Sequence, residues 1–221
     1  RVIEFMIAAD SQTPLLDLSL GDFAKETASE SPAPGGGSVA AYSATMGVAL
    51  ATMVANLSAH KRGWDERWEE FSAVAERGIG LQNQLALLVD ADTAAFNAIM
   101  EAYGMPKATD DQQKARHAAI QAATKNAIEI PMRVARLASE AMGVAEGMAQ
   151  TGNPNSITDA GVGAMAIRTG VKGAILNARV NLQDLEDAEY SAAIVSECNE
   201  LWTSIEAREA AVLKRVDEVL G

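Results

Sequence analysis

Apolar residues recur at helical spacing along nearly the whole chain, and no segment alternates apolar and polar residues over the length of a strand. The clearest example is the C-terminal segment, which predicts one amphipathic helix from about Ala188 to Leu220. Its apolar positions in helical register are Ile194, Val195, Leu201, Ile205, Val212, Leu213 and Val216. We therefore predict an all-α fold, a multi-helix bundle.

Capping and breaking residues divide the first half of the chain. Ser19 with Asp22 predicts the capped start of a short helix. A long helical stretch then covers residues 64–103, in which Gly78 and Gly80 are the candidate points of interruption or bending. The first half is therefore expected to be helical, with a break or bend in its longest element.

The second half is divided in the same way. Thr109 predicts the N-cap of a helix over residues 110–149, and Pro131 is expected to kink or split that helix because proline lacks an N–H and clashes with the preceding turn. Ser156 or Thr158 is expected to cap the helix that follows.

The run from Ser38 to Ala59 has no charged residue and is long enough to be mistaken for a membrane span. Its apolar residues are mostly alanine, and several of its side chains are polar, so its transfer into lipid would be poor. A buried helix of a soluble bundle fits better. Ala40, Ala44 and Gly47 place small side chains on one face, which permits close helix approach.

Length and composition are those of one globular domain. The chain has 221 residues, of which 48% are hydrophobic and 22% are charged, so it can bury one sizeable core. Residues 1–17 are expected to form a linker-like N-terminal segment, and residues 18–221 the helical domain.

The charge balance limits the partners. The formal net charge is −12, so the chain has no basic surplus with which to displace the counterions of a nucleic acid. We therefore expect no nucleic-acid partner, and the composition of the Ser38 to Ala59 run leads us to expect no membrane partner. An anionic small molecule would need a local basic cluster against the overall field.

The few cysteines and histidines exclude several kinds of site. Cys198 is the only cysteine, so no intramolecular disulfide can form, which fits a reducing, cytoplasmic location. We expect it to be a small buried residue and not a nucleophile. His60 and His117 lie far apart and outside any metal-ligand spacing, so we expect no metal. No basic and apolar leader is visible, so secretion is not expected.

A glycine-rich turn precedes the uncharged run and consists of Pro34, Gly35, Gly36, Gly37 and Ser38. The glycines let backbone N–H groups converge, and the helix predicted to start at about Ser38 turns its positive end to the same place. The turn is a candidate seat for an anionic or strongly polar ligand. The alternative is a flexible turn before a tightly packed helix.

An acidic residue interrupts an apolar stripe in the long helical stretch. The stripe consists of Leu85, Val89, Asp92, Phe96 and Ile99. A carboxylate on a face turned to the core must be paired, hydrogen-bonded or protonated, and burial raises its pKa toward the range useful for proton transfer. The alternative for Asp92 is a structural ion pair or a bond to a neighbouring helix. Asp90 lies about 200° away around the helix and is expected to be solvated.

The segment from Gly152 to Asp184 carries two more candidate rows. Arg168, Lys172 and Arg179 form a basic row that could hold carboxylates. The second row could donate hydrogen bonds to a heteroaromatic ring and consists of Gly170, Gly173, Ala174, Asn177 and Asn181. A solvated basic face and amides that join helices are the structural alternatives.

Three isolated polar residues complete the candidates. Asn153 and Asp159 are candidate ligand contacts, or they simply shape a turn and a cap. Lys61 follows an apolar helix and is a candidate partner for an anionic substrate, although a solvated lysine is the ordinary alternative.

Four segments in order, residues 34–41, 89–96, 152–159 and 173–182, resemble the cyclodeaminase family. This family comprises the C-terminal domain of bifunctional formiminotransferase-cyclodeaminase and the stand-alone cyclodeaminases and methenyltetrahydrofolate cyclohydrolases. The resemblance covers about residue 18 to the C-terminus. Residues 1–5 resemble the segment at which bifunctional members leave their transferase domain.

The resemblance implies a folate reaction in which tetrahydrofolate is the substrate and no cofactor is bound. The leading prediction is conversion of 5-formiminotetrahydrofolate to 5,10-methenyltetrahydrofolate and ammonia. Asp92 matches the family's proton-transfer aspartate. The predicted substrate-binding set is Pro34, Gly35, Gly36, Gly37, Ser38, Lys61, Asn153, Asp159, Arg168, Lys172, Asn177 and Asn181. Of these, Lys61, Arg168 and Lys172 are expected to meet the glutamate tail.

Other interpretations of the sequence stay open. One alternative is a methenyltetrahydrofolate cyclohydrolase, and another is a non-catalytic folate-binding or assembly module. The resemblance also implies a folate site near an intersubunit groove of a homodimer or larger homo-oligomer, with a formiminotransferase domain or subunit as a possible partner.

Overall fold

A computed structural model describes residues 14–221 as a bundle of six α-helices. They are α1 (Leu20–Thr27), α2 (Gly36–Ala59), α3 (Trp68–Gly104), α4 (Asp110–Thr151), α5 (Ile157–Asn181) and α6 (Ala188–Leu220). Four short 3₁₀ turns also occur, at Leu15–Asp17, Asp65–Arg67, Pro154–Ser156 and Leu182–Asp184. Within the described residues every regular element is helical, so the all-α prediction is confirmed. Residues 1–13, which include most of the predicted linker and the segment 1–5, lie outside the described residues.

The predicted caps are mostly present. The Ser19 hydroxyl accepts a hydrogen bond from the backbone N–H of Asp22. Thr109 forms a full capping box with Gln112 at the start of α4. The cap of α5 differs from the prediction, because Ser156 occupies the N-cap position but its side chain makes no capping bond.

The long helices are not interrupted or split at the predicted positions, whereas a bend at the glycines and a kink at the proline stay predictions. Helix α3 runs through Gly78 and Gly80 without interruption, and α4 runs through Pro131 as one helix of 42 residues. Proline leaves the carbonyl four residues earlier without its usual donor. That carbonyl belongs to Ala127, and the Asn181 side chain donates to it at 2.9 Å. A side chain of α5 thus supplies the bond that Pro131 removes, which helps the helix to continue.

Helix α2 lies at the centre of the bundle, against α3, α4 and α5. It crosses α5 at very short range, since a Cβ atom on Gly47 would lie 2.6 Å from the carbonyl oxygen of Gly163. A Cβ on Gly170 would lie 2.7 Å from the Cβ of Ala44. The predicted face of small residues is therefore confirmed as the contact between the two helices.

Helix α2 is the one described helix with the length and hydropathy of a membrane span, with a mean hydropathy of 1.5. In the bundle, 61% of that span is buried against other helices. Its alanines pack in the protein core, in line with the interpretation as a buried helix.

The single cysteine is also a core residue. Cys198 is fully buried on α6, and its thiol lies 3.5 Å from the sulfur of Met132 on α4. Burial raises the pKa of this thiol, which disfavours the nucleophilic thiolate. The prediction of a packing role is confirmed.

Candidate active site

The glycine turn is the start of α2. The helix begins at Gly36, two residues before the predicted start, with Gly35 at the N-cap position in an extended conformation. Gly36 is exposed, whereas Pro34, Gly37 and Ser38 are buried. The first backbone N–H groups of α2 have no partner within the helix, and the positive end of the helix dipole lies here.

Asp92 of α3 lies directly against this turn. A Cβ atom on Gly37 would overlap the Asp92 carboxylate, with Oδ2 2.6 Å away. The Ser38 hydroxyl lies 3.2 Å from the same oxygen and 2.9 Å from the carbonyl oxygen of Val89. The absence of a side chain at Gly37 is therefore what allows the carboxylate to approach the helix start.

The surroundings of Asp92 shift its protonation equilibrium toward the protonated form. Burial raises the pKa of this carboxyl group above the ordinary aspartate value, and hydrogen bonds from the side chain and backbone of Ser38 partly oppose the rise. The side chain is nonetheless only half-buried, so a ligand can reach it. A carboxyl group of this kind can accept and return a proton near neutral pH more readily than a solvated aspartate.

Asp90 behaves differently from its neighbour, and not as predicted. It points away from Asp92 around α3, but it is half-buried and accepts a 2.7 Å hydrogen bond from the backbone N–H of Leu15. It thereby fixes the 3₁₀ turn Leu15–Asp17 to the bundle. Asp90 is a structural anchor and not a freely solvated residue.

Asn177 brings a third helix to the site. A Cβ atom on Gly36 would lie 3.1 Å from the Asn177 side-chain nitrogen, so the amide faces the exposed glycine of the turn. The same nitrogen donates to the carbonyl of Gly173 on α5, while the side-chain oxygen has no hydrogen-bond partner among the described residues. The structure therefore brings Asp92 and Asn177 together at the start of α2. All three were candidates in the sequence analysis.

Thr93 joins the site although the sequence analysis did not select it. Its hydroxyl lies 3.4 Å from that of Ser38, beside Asp92. Neighbouring residues on a helix normally point about 100° apart, so no sequence pattern placed Thr93 near the turn. Only the packing of α2 against α3 brings the two hydroxyls together.

Three predicted residues lie at the opposite end of the molecule. Helix α2 has 24 residues and so spans about 36 Å, and Lys61 follows its far end. The Lys61 ammonium group lies 4.0 Å from the centre of the Trp64 ring. Asn153 donates its backbone N–H to Ser58, and Asp159 lies in the first turn of α5 at the same end. One copy of the chain does not bring these residues to Asp92.

The basic row faces another direction. Arg168 lies 3.2 Å from Glu209 of α6, and the Lys172 ammonium group lies 3.7 Å from the centre of the Trp202 ring. Arg179 donates to Asn199. All three partners belong to α6, on the side of α5 opposite Asn177. The basic row therefore supports the helix pair, and its predicted role with the glutamate tail stays a prediction.

Asn181 likewise has partners inside the protein. Its side-chain nitrogen donates to the carbonyls of Ala127 and Asn177. Both donor positions of the amide are thus in use, and the residue joins α5 to α4. This contact corresponds to the structural alternative that the sequence left open.

Known proteins are similar to this chain in sequence and fold. The family model described as formiminotransferase-cyclodeaminase matches residues 19–200. A methenyltetrahydrofolate cyclohydrolase from Methylorubrum extorquens is 41% identical over 74% of this chain and 79% of its own length. The formimidoyltransferase-cyclodeaminase of Mus musculus is 34% identical over 96% of this chain.

The match to a solved structure extends over the whole bundle. A formiminotetrahydrofolate cyclodeaminase from Thermotoga maritima superposes with a TM-score of 0.82 at 28% identity, over 94% of this chain and all of that one. This chain spans only 40% of the length of the mouse relative. The family model and the relatives together establish that the chain belongs to the formiminotransferase-cyclodeaminase family, whose members convert folate one-carbon units.

Proposed function

We propose that the protein is a formimidoyltetrahydrofolate cyclodeaminase, which converts 5-formiminotetrahydrofolate to 5,10-methenyltetrahydrofolate and ammonia. The observation that carries this proposal is the Asp92 carboxyl group, half-buried against Gly37 at the open start of α2. The bifunctional relatives support it because they match nearly the whole chain, 96% in the mouse protein, whereas the cyclohydrolase matches 74%.

The proposed chemistry needs one group that can take up and return a proton. N10 of the folate attacks the formimino carbon on N5, which forms a tetrahedral intermediate. The N10 proton must then reach the departing nitrogen, which leaves as ammonia when its bond to carbon breaks. Asp92 would accept the proton from N10 and donate it to the leaving nitrogen. Its raised pKa suits both halves of the transfer.

The neighbouring groups would hold the substrate for attack. The open N–H groups at Gly36 are hydrogen-bond donors, and the Asn177 side-chain oxygen, which no described residue engages, is an acceptor for ring N–H groups. Fixing N10 near the formimino carbon supplies the proximity that an intramolecular reaction requires. Gly37 and Ser38 are buried beneath the surface, so we assign them to the support of Asp92 and not to direct contact with folate.

The second candidate is methenyltetrahydrofolate cyclohydrolase. The 41% identity to the Methylorubrum extorquens enzyme favours it. In that reaction the same carboxylate would activate water for attack on the one-carbon bridge. A non-catalytic folate-binding module is the third candidate, and an intact carboxyl group at an accessible site argues against it.

Separate assays with 5-formiminotetrahydrofolate and 5,10-methenyltetrahydrofolate distinguish the three candidates. The cyclodeaminase releases ammonia from the first substrate as the absorbance of the methenyl product appears. Loss of methenyl absorbance from the second substrate alone would instead establish the cyclohydrolase. Binding of both compounds without turnover would leave the non-catalytic module.

We also propose that two copies pair through a face formed by α2 and α5, here called the front face. Its exposed apolar residues are Val39, Met46, Met53, Leu57, Val162, Met165, Leu176 and Val180. Helix α2 contributes no charged residue to it. A broad apolar face of this kind typically marks a protein interface, and a two-fold axis would make it self-complementary.

An antiparallel arrangement of the two copies would also complete the site. It places the Lys61 end of one α2 over the glycine turn of the other. Lys61 would then meet the anionic tail of a folate bound at the partner subunit, together with Asn153 and Asp159. A formiminotransferase domain or subunit and a cytoplasmic location remain part of the proposal.

Mixed dimers test this arrangement. A heterodimer of Asp92→Asn and Lys61→Ala chains should regain one native site, with about half the wild-type turnover, although each parent dimer has two defective sites. A heterodimer no more active than its parents would contradict this arrangement. Lys61 and Asp92 would then belong to the site of the same chain, or Lys61 would have no part in the site. A monomer in sedimentation analysis would overturn the pairing itself.

A further inference from the structure

The hydroxyl group of Ser38 lies at the centre of a buried hydrogen-bond network. It has no exposed surface, and three oxygens lie within reach: Val89 carbonyl at 2.9 Å, Asp92 Oδ2 at 3.2 Å and Thr93 Oγ1 at 3.4 Å. A serine hydroxyl has one proton to donate and two lone pairs to accept with. It therefore cannot donate to all three oxygens at once, and the pattern of bonds must depend on the other protons present.

The protonation of Asp92 decides which pattern forms. An ionised carboxylate can only accept, so Ser38 donates to Asp92 and accepts from Thr93. A protonated carboxyl group can donate to Ser38, which then turns its own proton to the Val89 carbonyl. In each pattern no buried donor is left unpaired, which avoids a penalty of about 1–3 kcal/mol for an unsatisfied group.

We propose that Ser38 and Thr93 are positioning residues that keep Asp92 satisfied in both of its protonation states, by a reversal of the hydroxyl bonds each time the proton moves. The proposal rests on the proton-transfer role assigned to Asp92. It gives Ser38 a task different from substrate binding and gives Thr93 a role in the reaction cycle. Their assigned role is to act through Asp92.

The nearby charged side chains are engaged with other partners and do not determine the pKa of Asp92. Helix α2 has no acidic or basic residue, and its one tyrosine, Tyr42, packs its ring against Phe23. Asp90 on α3 is turned to Leu15, Arg179 on α5 bonds to Asn199, and Lys125 on α4 pairs with Asp187. Burial and the bonds from Ser38 are accordingly the causes of the shifted pKa of Asp92.

The test is a pH titration of the Asp92 carboxyl carbon by NMR in substrate-free protein, assigned by its loss in Asp92→Asn. Ser38→Ala removes a donor to the ionised form, so the titration midpoint should move to higher pH. Thr93→Val should move it in the same direction by less, and Thr93→Ser should restore the wild-type midpoint. The acidic limb of the pH–kcat profile should follow these shifts.

Thr45→Val is the matched control, because Thr45 is a buried hydroxyl residue of α2 that bonds only to the Ala41 carbonyl. It should leave the midpoint unchanged. A midpoint unmoved by Ser38→Ala and by Thr93→Val, or moved equally by Thr45→Val, overturns the proposal. Should Ser38→Ala fail to fold, the two Thr93 variants decide alone. Because no substrate is present, these outcomes are independent of whether Asp92→Asn abolishes turnover.

Discussion

Helix α2 has a glycine in close contact with another helix in two regions. The two regions differ in which group occupies the place where a Cβ atom would lie. At its first turn, Gly37 leaves room for the Asp92 carboxylate. In its middle, Gly47 leaves room for the backbone of α5, with the Gly163 carbonyl 2.6 Å from where a Cβ would lie. A carboxylate at the end of a short side chain can move aside, whereas a helix backbone cannot. Added bulk should therefore damage activity at the first region and stability at the second.

The strongest test of the first region is Asp92→Asn. The amide keeps the shape of the side chain but cannot accept the proton, so turnover should fall by about 10² to 10⁴ with little change in folate affinity. Steady-state kinetics and a binding titration measure the two quantities. Asp90→Asn is the control and should retain activity, since an amide oxygen can still accept from Leu15. A native rate in folded Asp92→Asn would remove Asp92 from the mechanism.

The same variant should show a pH-dependent gain in stability. The folded-state pKa of Asp92 is raised, so its protonated form stabilises the fold at low pH, and this contribution disappears as pH rises through the folded pKa. The uncharged amide of the variant mimics the protonated form at every pH. Chemical denaturation should therefore find the variant more stable than wild type at neutral pH, with the gap closing toward acid pH.

Gly37→Ala sharpens the comparison further. The new methyl group must displace the Asp92 carboxylate from its place beside Ser38, so turnover should fall by at least about tenfold while the fold persists. Gly80→Ala is the control, because it adds the same methyl group to a helix at a position with no atom within 4 Å. Circular dichroism and kinetics on both variants separate folding from activity. Equal activity in the two variants would mean that the position of Asp92 does not matter.

Gly170→Val tests the second region. Its side chain would collide with Ala44 and the Ala40 carbonyl, which lie 2.7 and 2.8 Å from the Cβ position. Overpacking at a helix crossing typically costs about 1–3 kcal/mol, which corresponds to a fall in Tm of a few degrees or more for a chain of this size. Calorimetry measures the change. Unaltered stability with lost folate binding would instead assign the crossing to the ligand site.

Arg168→Ala examines the basic row that faces away from both regions. About a third of this side chain is exposed, and it pairs with Glu209 and lies near Trp202. Its removal should therefore lower stability by about 1 kcal/mol or less. KM should change equally for substrates with and without a polyglutamate tail. A greater, salt-sensitive loss for the tailed substrate would instead support the contact predicted from the sequence.

The smallest effect is expected on α3, where two glycines lie two residues apart. Gly80 is exposed, with no atom within 4 Å of its Cβ position, so Gly80→Ala should raise stability by about 0.4–1 kcal/mol. Gly78→Ala should lower it, because the new methyl group overlaps the Thr52 hydroxyl. Denaturation midpoints of the two variants should move in opposite directions. A rise in both midpoints would mean that α2 and α3 separate easily.

The sequence determined the helical class, most caps and the uncommon position of Asp92. These depend on local properties: apolar spacing, a hydroxyl at the first turn, and a carboxylate on an apolar stripe. The continuity of α4 through Pro131 could not be predicted in this way, because its compensating donor, Asn181, comes from another helix. Rules based on local sequence treat each helix as isolated, so they predict more interruptions than the folded protein has.

The tertiary structure alone decided which candidates share a site. Gly37, Asp92 and Asn177 are far apart in sequence and meet because α2, α3 and α5 pack at one end of the bundle. Arg168 and Lys172 share α5 with Asn177 but face α6. Residue type and helical register state what a side chain can do and which neighbours it has on its own helix. The partner on another helix depends on how whole faces pack together, which no single segment specifies.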